Sequence, residues 1–410
     1  MKKLPLEGVR VLDLTMMWAG PFATKLLAEM GAEVIKIESP NAWDNIRTLI
    51  PQPGIEEPWN ASYYFNDYNR DKKSLVLDLA HPRGREVFLQ LVPHADVVIE
   101  NYRADVLDNL NLSYEVLRQV REDIILVSMA GFGKTGSEKD QVGFGPIIEQ
   151  MGGVASTTGY GDDGEPYKTG VSYGDPVGGI AAAGAVALAL IHRKKTGKGT
   201  FVDLAQRETM ATMIGQAFVA SSLRGEEPVH RGNRSDRWAP QGIYPCAGDD
   251  QWIAVSVRDD DEWRALASVI GATDLEAFGQ DERISRHDEI DERIRAWTRQ
   301  QDPQAAMETL AAARVPAGRV LDSDAIHRDP HLLARGFWVE LPHPRMAPWK
   351  QPSSAWRFVE ANPQLRRHAP LFGEHTAEIL GELLGMGSQD IAALDAEGVT
   401  SRAPVNPGVG

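Results

Sequence analysis

The first 130 or so residues alternate two kinds of segment, and that alternation limits the folds open to the chain. VRVLDL (9–14), AEVIKIE (32–38), SLVLDL (74–79), DVVIE (96–100) and DIILVSM (123–129) are short apolar runs, the pattern of strands covered on both faces. Between the first two, Pro21 opens a helix through FATKLLAEM and Gly31 closes it, since proline suits a first helical turn and glycine a left-handed exit. PRGREVFLQLV reads as another helix between the third and fourth runs. Buried strands joined by helices predict an α/β fold with a parallel, doubly wound sheet.

With 410 residues the chain exceeds a single hydrophobic core, so two domains are expected. From about residue 222 the character changes. RGEEPVHRGNRSDRWAP (224–240) is polar and without periodicity, and reads as a linker or active-site loop. GIYPCAGDDQWIAVSV predicts a hairpin turning at Gly248-Asp249-Asp250. Helical stretches near 260–270 and 302–314 complete a smaller α+β unit, and GEHTAEILGELL is an amphipathic helix near the chain end. The expected division is 1–221, 222–330 and a return segment 331–410.

Charge and composition remove several classes of function. The formal net charge is −15 and no basic run is interleaved with aromatics, which argues against a nucleic-acid partner. The apolar run Ala181–Ile191 is short for a bilayer, so no membrane role is expected. The start MKKLPLEGVRVLDLT lacks the apolar stretch of a secretory signal. The lone Cys246 allows no internal disulfide and suits a reducing cytoplasm. Glu38 ends the second strand where a dehydrogenase places its ribose-binding acid, but Thr15-Met16-Met17-Trp18-Ala19-Gly20-Pro21 carries no G-x-G-x-x-G, so no NAD is expected. P-loop, zincin and nucleophile-elbow motifs are missing, and the ten histidines show no metal spacing.

One carboxylate invites a chemical reading. GVSYGDPVGGI (170–180) sets Asp175 among Gly170, Gly174, Gly178 and Gly179, directly before Pro176 and a long small-residue helix. Asp followed by Pro is the favoured N-cap and first-turn pair, so a structural cap is one reading. The other is chemical. A helix N-terminus holds a carboxylate ionised, the glycines leave room for a ligand, and such a group can attack an acyl carbon.

PLEGVRVLDLTMMWAGPFATKLLAEMGAEVIKIE, NRDKKSLVLDL, ADVVIENYR, SMAGFGKTG, YGDPVGG, KTGKGTFVDLA and PLFGEHTAEIL occur in this order along the sequence. Together they resemble the class III CoA-transferases, the group of formyl-CoA transferase and carnitine CoA-transferase. The resemblance spans essentially the whole chain. It implies a large Rossmann-like domain built from both chain ends, a small domain between them, and a homodimer of interlocked rings. It implies CoA and acyl-CoA as substrates, with no metal and no NAD. It also implies that Asp175 is the nucleophile, carrying first an acyl anhydride and then a CoA thioester. Asn101 and Tyr102 match the family's cofactor-flanking segment, Lys72 and Lys73 match its basic pattern, and Arg103 is a further candidate for the CoA phosphates. Ser39 and Asn109 stand where relatives carry cations.

Two departures bear on chemistry. Phe144 occupies the place of the histidine that serves racemases on this scaffold, and phenylalanine carries no proton. Trp18 replaces a glutamine that faces the acyl site, which favours an acid larger or less polar than formate or oxalate. The expected function is CoA transfer between an acyl-CoA and a free acid. The alternatives are an acyl-CoA racemase or isomerase, and a non-catalytic CoA-binding subunit of a heteromeric enzyme.

Overall fold

A computed structural model of the chain describes residues 3–160, 165–225, 230–363 and 365–405. Residues 226–229 of the polar segment 224–240 lie outside them. The chain divides into two compact units, one of 1–154, 168–219 and 331–410, the other of 155–167 and 220–330.

The first unit is built on six parallel strands. In chain order its elements are β1 (Arg10–Asp13), α1 (Ala19–Glu29), β2 (Glu33–Glu38), α2 (Tyr63–Tyr68), β3 (Lys72–Val76), α3 (Pro82–Leu91) and β4 (Val97–Glu100). There follow α4 (Val106–Asn109), α5 (Tyr114–Val120), β5 (Ile125–Ser128), α6 (Gly145–Met151), α7 (Gly174–Thr196) and β6 (Thr200–Asp203). The strand order is β3-β2-β1-β4-β5-β6, so the chain direction across the sheet reverses between β1 and β4. The ligand crevice of a doubly wound sheet opens at the carboxyl ends of the strands at that reversal.

Alternation along each strand sorts the core into two layers. Leu12, Ile35, Leu75, Val98 and Leu126 face α3 and the helix Thr376–Leu384, which contributes Ile379 and Leu380. Val11, Val34, Val97 and Val127 face Ala23 and Leu27 of α1 and Ala182, Val186 and Ala189 of α7. The five predicted strands are all present. β3 starts at Lys72, two residues before the run SLVLDL, because Lys72 and Lys73 pair with Val34 and Ile35 of β2. The sixth strand, TFVD, was not predicted. It is a short, half-exposed edge strand with no apolar run to mark it.

At 23 residues, α7 is long and apolar enough to cross a membrane by length and composition, which the 11-residue apolar run had suggested it was not. In this unit it packs along α1 and β5.

In the second unit β7 (Gln241–Pro245) and β8 (Trp252–Ser256) form the predicted hairpin, and β9 (Ala317–Arg319) joins β8 antiparallel. Gly248 and Asp250 take positive φ in the turn. Trp263, Leu266, Ile290, Ile294 and Leu310 pack beneath this sheet.

A buried polar layer lies under the carboxyl ends of β1 and β2. Lys72 Nζ donates to Asp13 Oδ2 (3.0 Å), Asn69 Oδ1 (2.8 Å) and Pro21 O (3.1 Å). Asp13 in turn accepts from Thr15 and Thr24. Neither Lys72 nor Asp13 is exposed. Burial lowers the Lys72 ammonium to about 8, while Asp13 stays below its ordinary range because Lys72, Lys36 and two hydroxyls outweigh its own burial. Removing one partner strands the other charge in the interior. Lys72→Met is therefore expected to cost about 3–5 kcal/mol, read as a lower urea midpoint for this unit. A midpoint equal to that of the native chain would contradict the pairing.

Candidate active site

Asp175 lies where the amino termini of α1 and α7 meet. Helix α7 begins at Gly174 with Tyr173 as its N-cap, so Asp175 is its second residue and Pro176 its third, each two positions further into the helix than predicted. The Asp175 N–H donates to Ser172 O (3.2 Å) and the Val177 N–H to Tyr173 O (3.3 Å), and these bonds draw Gly174 into the helix. The Ala19 backbone N–H, the first amide of α1, lies on the carboxylate side of Asp175 and favours its ionised form. Two helix amino termini thus point at one carboxylate.

The glycines work differently from expectation. A Cβ at Gly179 would stand 2.7 Å from Ala19 O, one at Gly178 3.3 Å from the Gln206 side chain, and one at Gly174 3.2 Å from Gly145 O. These three glycines admit neighbouring backbone and side chains rather than a ligand. The glycine that faces the carboxylate is Gly145, the first residue of α6: a Cβ there would overlap Asp175 Oδ2 at 1.8 Å.

The ionisation of Asp175 also differs from expectation. Helix dipoles favour the charged form, but burial is the larger effect, and with the nearby charge of Glu149 it pushes Asp175 up to about 6 despite the Ala19 N–H. The group is still about nine-tenths ionised at pH 7. Glu149 is itself fully buried. It accepts from Thr169 N (2.9 Å), Thr169 Oγ1 (2.8 Å) and Tyr173 N (3.1 Å), which ties down the segment leading into α7.

Trp18, immediately before Ala19, belongs to an aromatic cluster. Its ring stacks on Tyr68 with centroids 5.5 Å apart and lies 5.7 Å from Tyr64. The Asp175 charge adds to burial in raising both phenols. The Trp18 Nε1 donor is buried without a hydrogen-bond partner among the described residues. Tyr64, Tyr68, Gly145 and Glu149 were not singled out from sequence. The aromatic run YYFNDY was the visible signal for the first two, and nothing local marks the others.

The cofactor candidates separate into two groups. Ser39, Asn101, Tyr102 and Arg103 follow the carboxyl ends of β2 and β4, the ligand-binding edge. Ser39 Oγ accepts from Asn41 N (3.1 Å). Tyr102 is half-buried against the core, with its hydroxyl raised by burial and by Glu100. Arg103 is 46% exposed and binds Asp105 through both Nε and Nη2 (2.7 and 2.8 Å). Asn109 Nδ2 donates to the same carboxylate (2.9 Å). Asn101 is bound to the Met16 backbone.

Lys72 and Lys73 are corrections. Both lie at the amino end of β3, on opposite faces, and both are spent on structure. Lys72 is buried in the polar layer described above. Lys73 bridges Glu33 (2.9 Å) and Glu378 (2.7 Å). The Lys72 ammonium has no exposed surface to offer a phosphate, and Lys73, like Arg103, is already paired with carboxylates. The pair lay outside the predicted strand because β3 begins earlier than its apolar run.

Phe144 is exposed and stands at the N-cap of α6, beside Gly145.

Comparison with known proteins identifies the family of the chain. A family model described as CoA-transferase family III matches residues 6–376. The succinyl-CoA–D-citramalate CoA-transferase of Chloroflexus aurantiacus is 33% identical over 402 residues, 96% of this chain and 98% of that protein. The succinyl-CoA:mesaconate CoA-transferase of Haloarcula hispanica is 34% identical, over 95% of this chain and 99% of the relative. Among solved structures, a CAIB/BAIF family protein from Brucella suis matches with a TM-score of 0.84 and 30% identity, covering 93% of this chain and 100% of that one. By sequence along its length and by fold, the chain belongs to CoA-transferase family III.

Proposed function

We propose that this chain moves CoA from an acyl-CoA donor, with succinyl-CoA the first choice, to a free carboxylic acid through covalent intermediates on Asp175. The observation that carries the reading is a half-buried carboxylate, raised to about 6, with no side chain on its Gly145 side and a backbone N–H beside it. Succinyl-CoA comes from the names of the two relatives.

The sequence of bonds balances without water or ATP. The Asp175 carboxylate attacks the donor thioester carbonyl, and the tetrahedral oxyanion collapses to a mixed anhydride as CoA thiolate leaves. The thiolate attacks the aspartyl carbonyl, giving an aspartyl-CoA thioester and the free donor acid. The acceptor carboxylate attacks that thioester and regenerates an anhydride and thiolate. Thiolate attack on the acceptor's acyl carbon then forms the product and restores Asp175. Partial desolvation makes the carboxylate a stronger nucleophile than one in bulk water. Each oxyanion stabilised by a backbone N–H such as that of Ala19 gains roughly 3 kcal/mol.

Trp18, Tyr64 and Tyr68 supply an apolar wall near the carboxylate, in keeping with an acceptor acid larger than oxalate. Arg103 remains as an exposed cation at the ligand edge for the CoA phosphates, with Asp105 to be exchanged for them. The exposed Ile180, Leu188 and Ile191 of α7, and a helix Gly215–Arg224 with no buried residue, favour a homodimer that covers them. The family's interlocked ring is the form proposed. The reading needs no metal and no NAD, and Cys246 as a free thiol suits a cytoplasmic enzyme.

Three outcomes test the reading. Asp175→Ala should abolish transfer from succinyl-CoA across a panel of acids followed by mass spectrometry, and transfer persisting at the native rate would overturn the assignment. Only the ionised carboxylate attacks, so kcat/KM should fall as the pH drops through about 6; a flat profile down to pH 5 would contradict it. The folded protein holds Asp175 above its unfolded value of 3.8, so ionisation penalises the fold fully above the folded pKa and not at all below the unfolded one. Asp175→Asn should therefore be more stable than the native chain at pH 8, by on the order of 2 kcal/mol, with the difference gone near pH 3.5. Equal stability at pH 8 would contradict a desolvated charge at Asp175.

A further inference from the structure

In the loop from β1 to α1, residues 15–17 are each held by side chains that take no part in the chemistry above. Thr15 N donates to Asp13 Oδ1 (2.9 Å), and Thr15 O accepts from Lys36 Nζ (2.7 Å). Met16 N donates to Asn101 Oδ1 and Met16 O accepts from Asn101 Nδ2, both at 2.8 Å, so the amide of Asn101 mimics a paired strand. Met17 N donates to Asp44 Oδ1 (2.8 Å), and Asp44 Oδ2 accepts from Lys36 Nζ (2.8 Å). Lys36 and Asp44 are both wholly buried. Met17 has φ 65°, a left-handed conformation that a non-glycine residue keeps only where its surroundings enforce it. Gly20 closes the clamp, because a Cβ there would lie 2.3 Å from Thr15 Cβ. Two residues after Met17 comes Ala19, whose carbonyl packs against Gly179 of α7, where a Cβ would stand 2.7 Å from it, and whose N–H favours the ionised Asp175 carboxylate.

We propose that Asn101, together with the buried Lys36–Asp44 pair, is a positioning residue for Asp175: it fixes the backbone of residues 15–17 and thereby aims the Ala19 N–H at the nucleophile. The inference rests on Asp175 being the nucleophile, and it replaces the expectation that Asn101 is first a CoA contact. Both atoms of its amide group are engaged with the loop, so a ligand reaching for them would have to release it. The other ionisable groups whose charge bears on Asp175 are Glu149 of α6 and Tyr64 and Tyr68 of α2. Glu149 binds Thr169 and Tyr173, while Tyr64 and Tyr68 belong to the apolar cluster that Met17 joins.

The test is Asn101→Ala, with Asn101→Asp as the milder variant that keeps an acceptor for Met16 N but sets oxygen against Met16 O. Asp175 is titrated in the free protein by carbon-13 NMR of its carboxyl, identified as the resonance lost in Asp175→Asn. In both variants the Asp175 midpoint should move to higher pH, because the ionised form loses its donor. The acid limb of the pH–rate profile should move with it, and kcat should fall about tenfold to a hundredfold, with KM for the acyl-CoA unchanged. A raised KM with an unmoved titration would make Asn101 a CoA contact and overturn the proposal. A lower melting temperature with both kcat and titration unmoved would make it a structural residue only, and would overturn it equally. The titration needs no substrate, so a native chain that transfers no CoA would sink the functional reading while leaving this measurement decisive for the clamp.

Discussion

The site depends on the close approach of two helix amino termini. Helix α7 lies against α1 because Gly179 lets the Ala19 carbonyl come nearer than a Cβ would allow, and Gly145 leaves the space in which the Asp175 carboxylate sits. The approach has opposing consequences for the charge. Both helix ends favour an anion, whereas the packing that brings them together removes water from it. Burial wins by enough to lift Asp175 to about 6, without making it neutral at physiological pH. A nucleophile of this kind must be ionised yet poorly solvated, and the helix contact supplies both properties at once.

Beneath that contact the protein buries an unusual amount of charge. Asp13, Lys36, Glu38, Asp44, Arg47 and Lys72 are all essentially unexposed. Arg47 is held by both oxygens of Glu38 at 2.9 and 2.8 Å, while Lys36 and Lys72 divide Asp44 and Asp13 between them. Such pairs seldom add net stability over hydrophobic packing. What they add here is geometry: hydrogen-bond directions at Thr15 and Met17 that a greasy core could not specify. The layer accounts for a loop of fixed shape, with one left-handed residue, at the point where the sheet reverses direction.

The core and its layering were legible in the sequence because apolar runs bounded by turn residues report burial directly. Strand β6 escaped because an edge strand needs no apolar run. The site was legible as one residue and illegible as an environment. Asp175 stood out through its glycines and its proline, but what those glycines pack against depends on Ala19, Gln206 and Gly145, far away along the chain. Lys72 and Lys73 show the same limit. Adjacent lysines in a polar stretch look like surface, and only the pairing of β3 with β2 sends one to Asp13 and the other to Glu33 and Glu378. Glu149 gives no local sign of its role, since a single glutamate in an apolar helix says nothing about which loop it will tie down.

The central claim is that position 175 becomes covalently joined to CoA during turnover. The direct measurement is peptide mass spectrometry on the native chain mixed with succinyl-CoA, quenched in acid within the first turnovers and digested. The account predicts that the peptide containing Asp175 carries the added mass of CoA as a thioester, that the adduct disappears on treatment with hydroxylamine, and that an acceptor acid added before the quench depletes it. Turnover proceeding with every peptide unmodified, or with CoA attached at another residue, would contradict it.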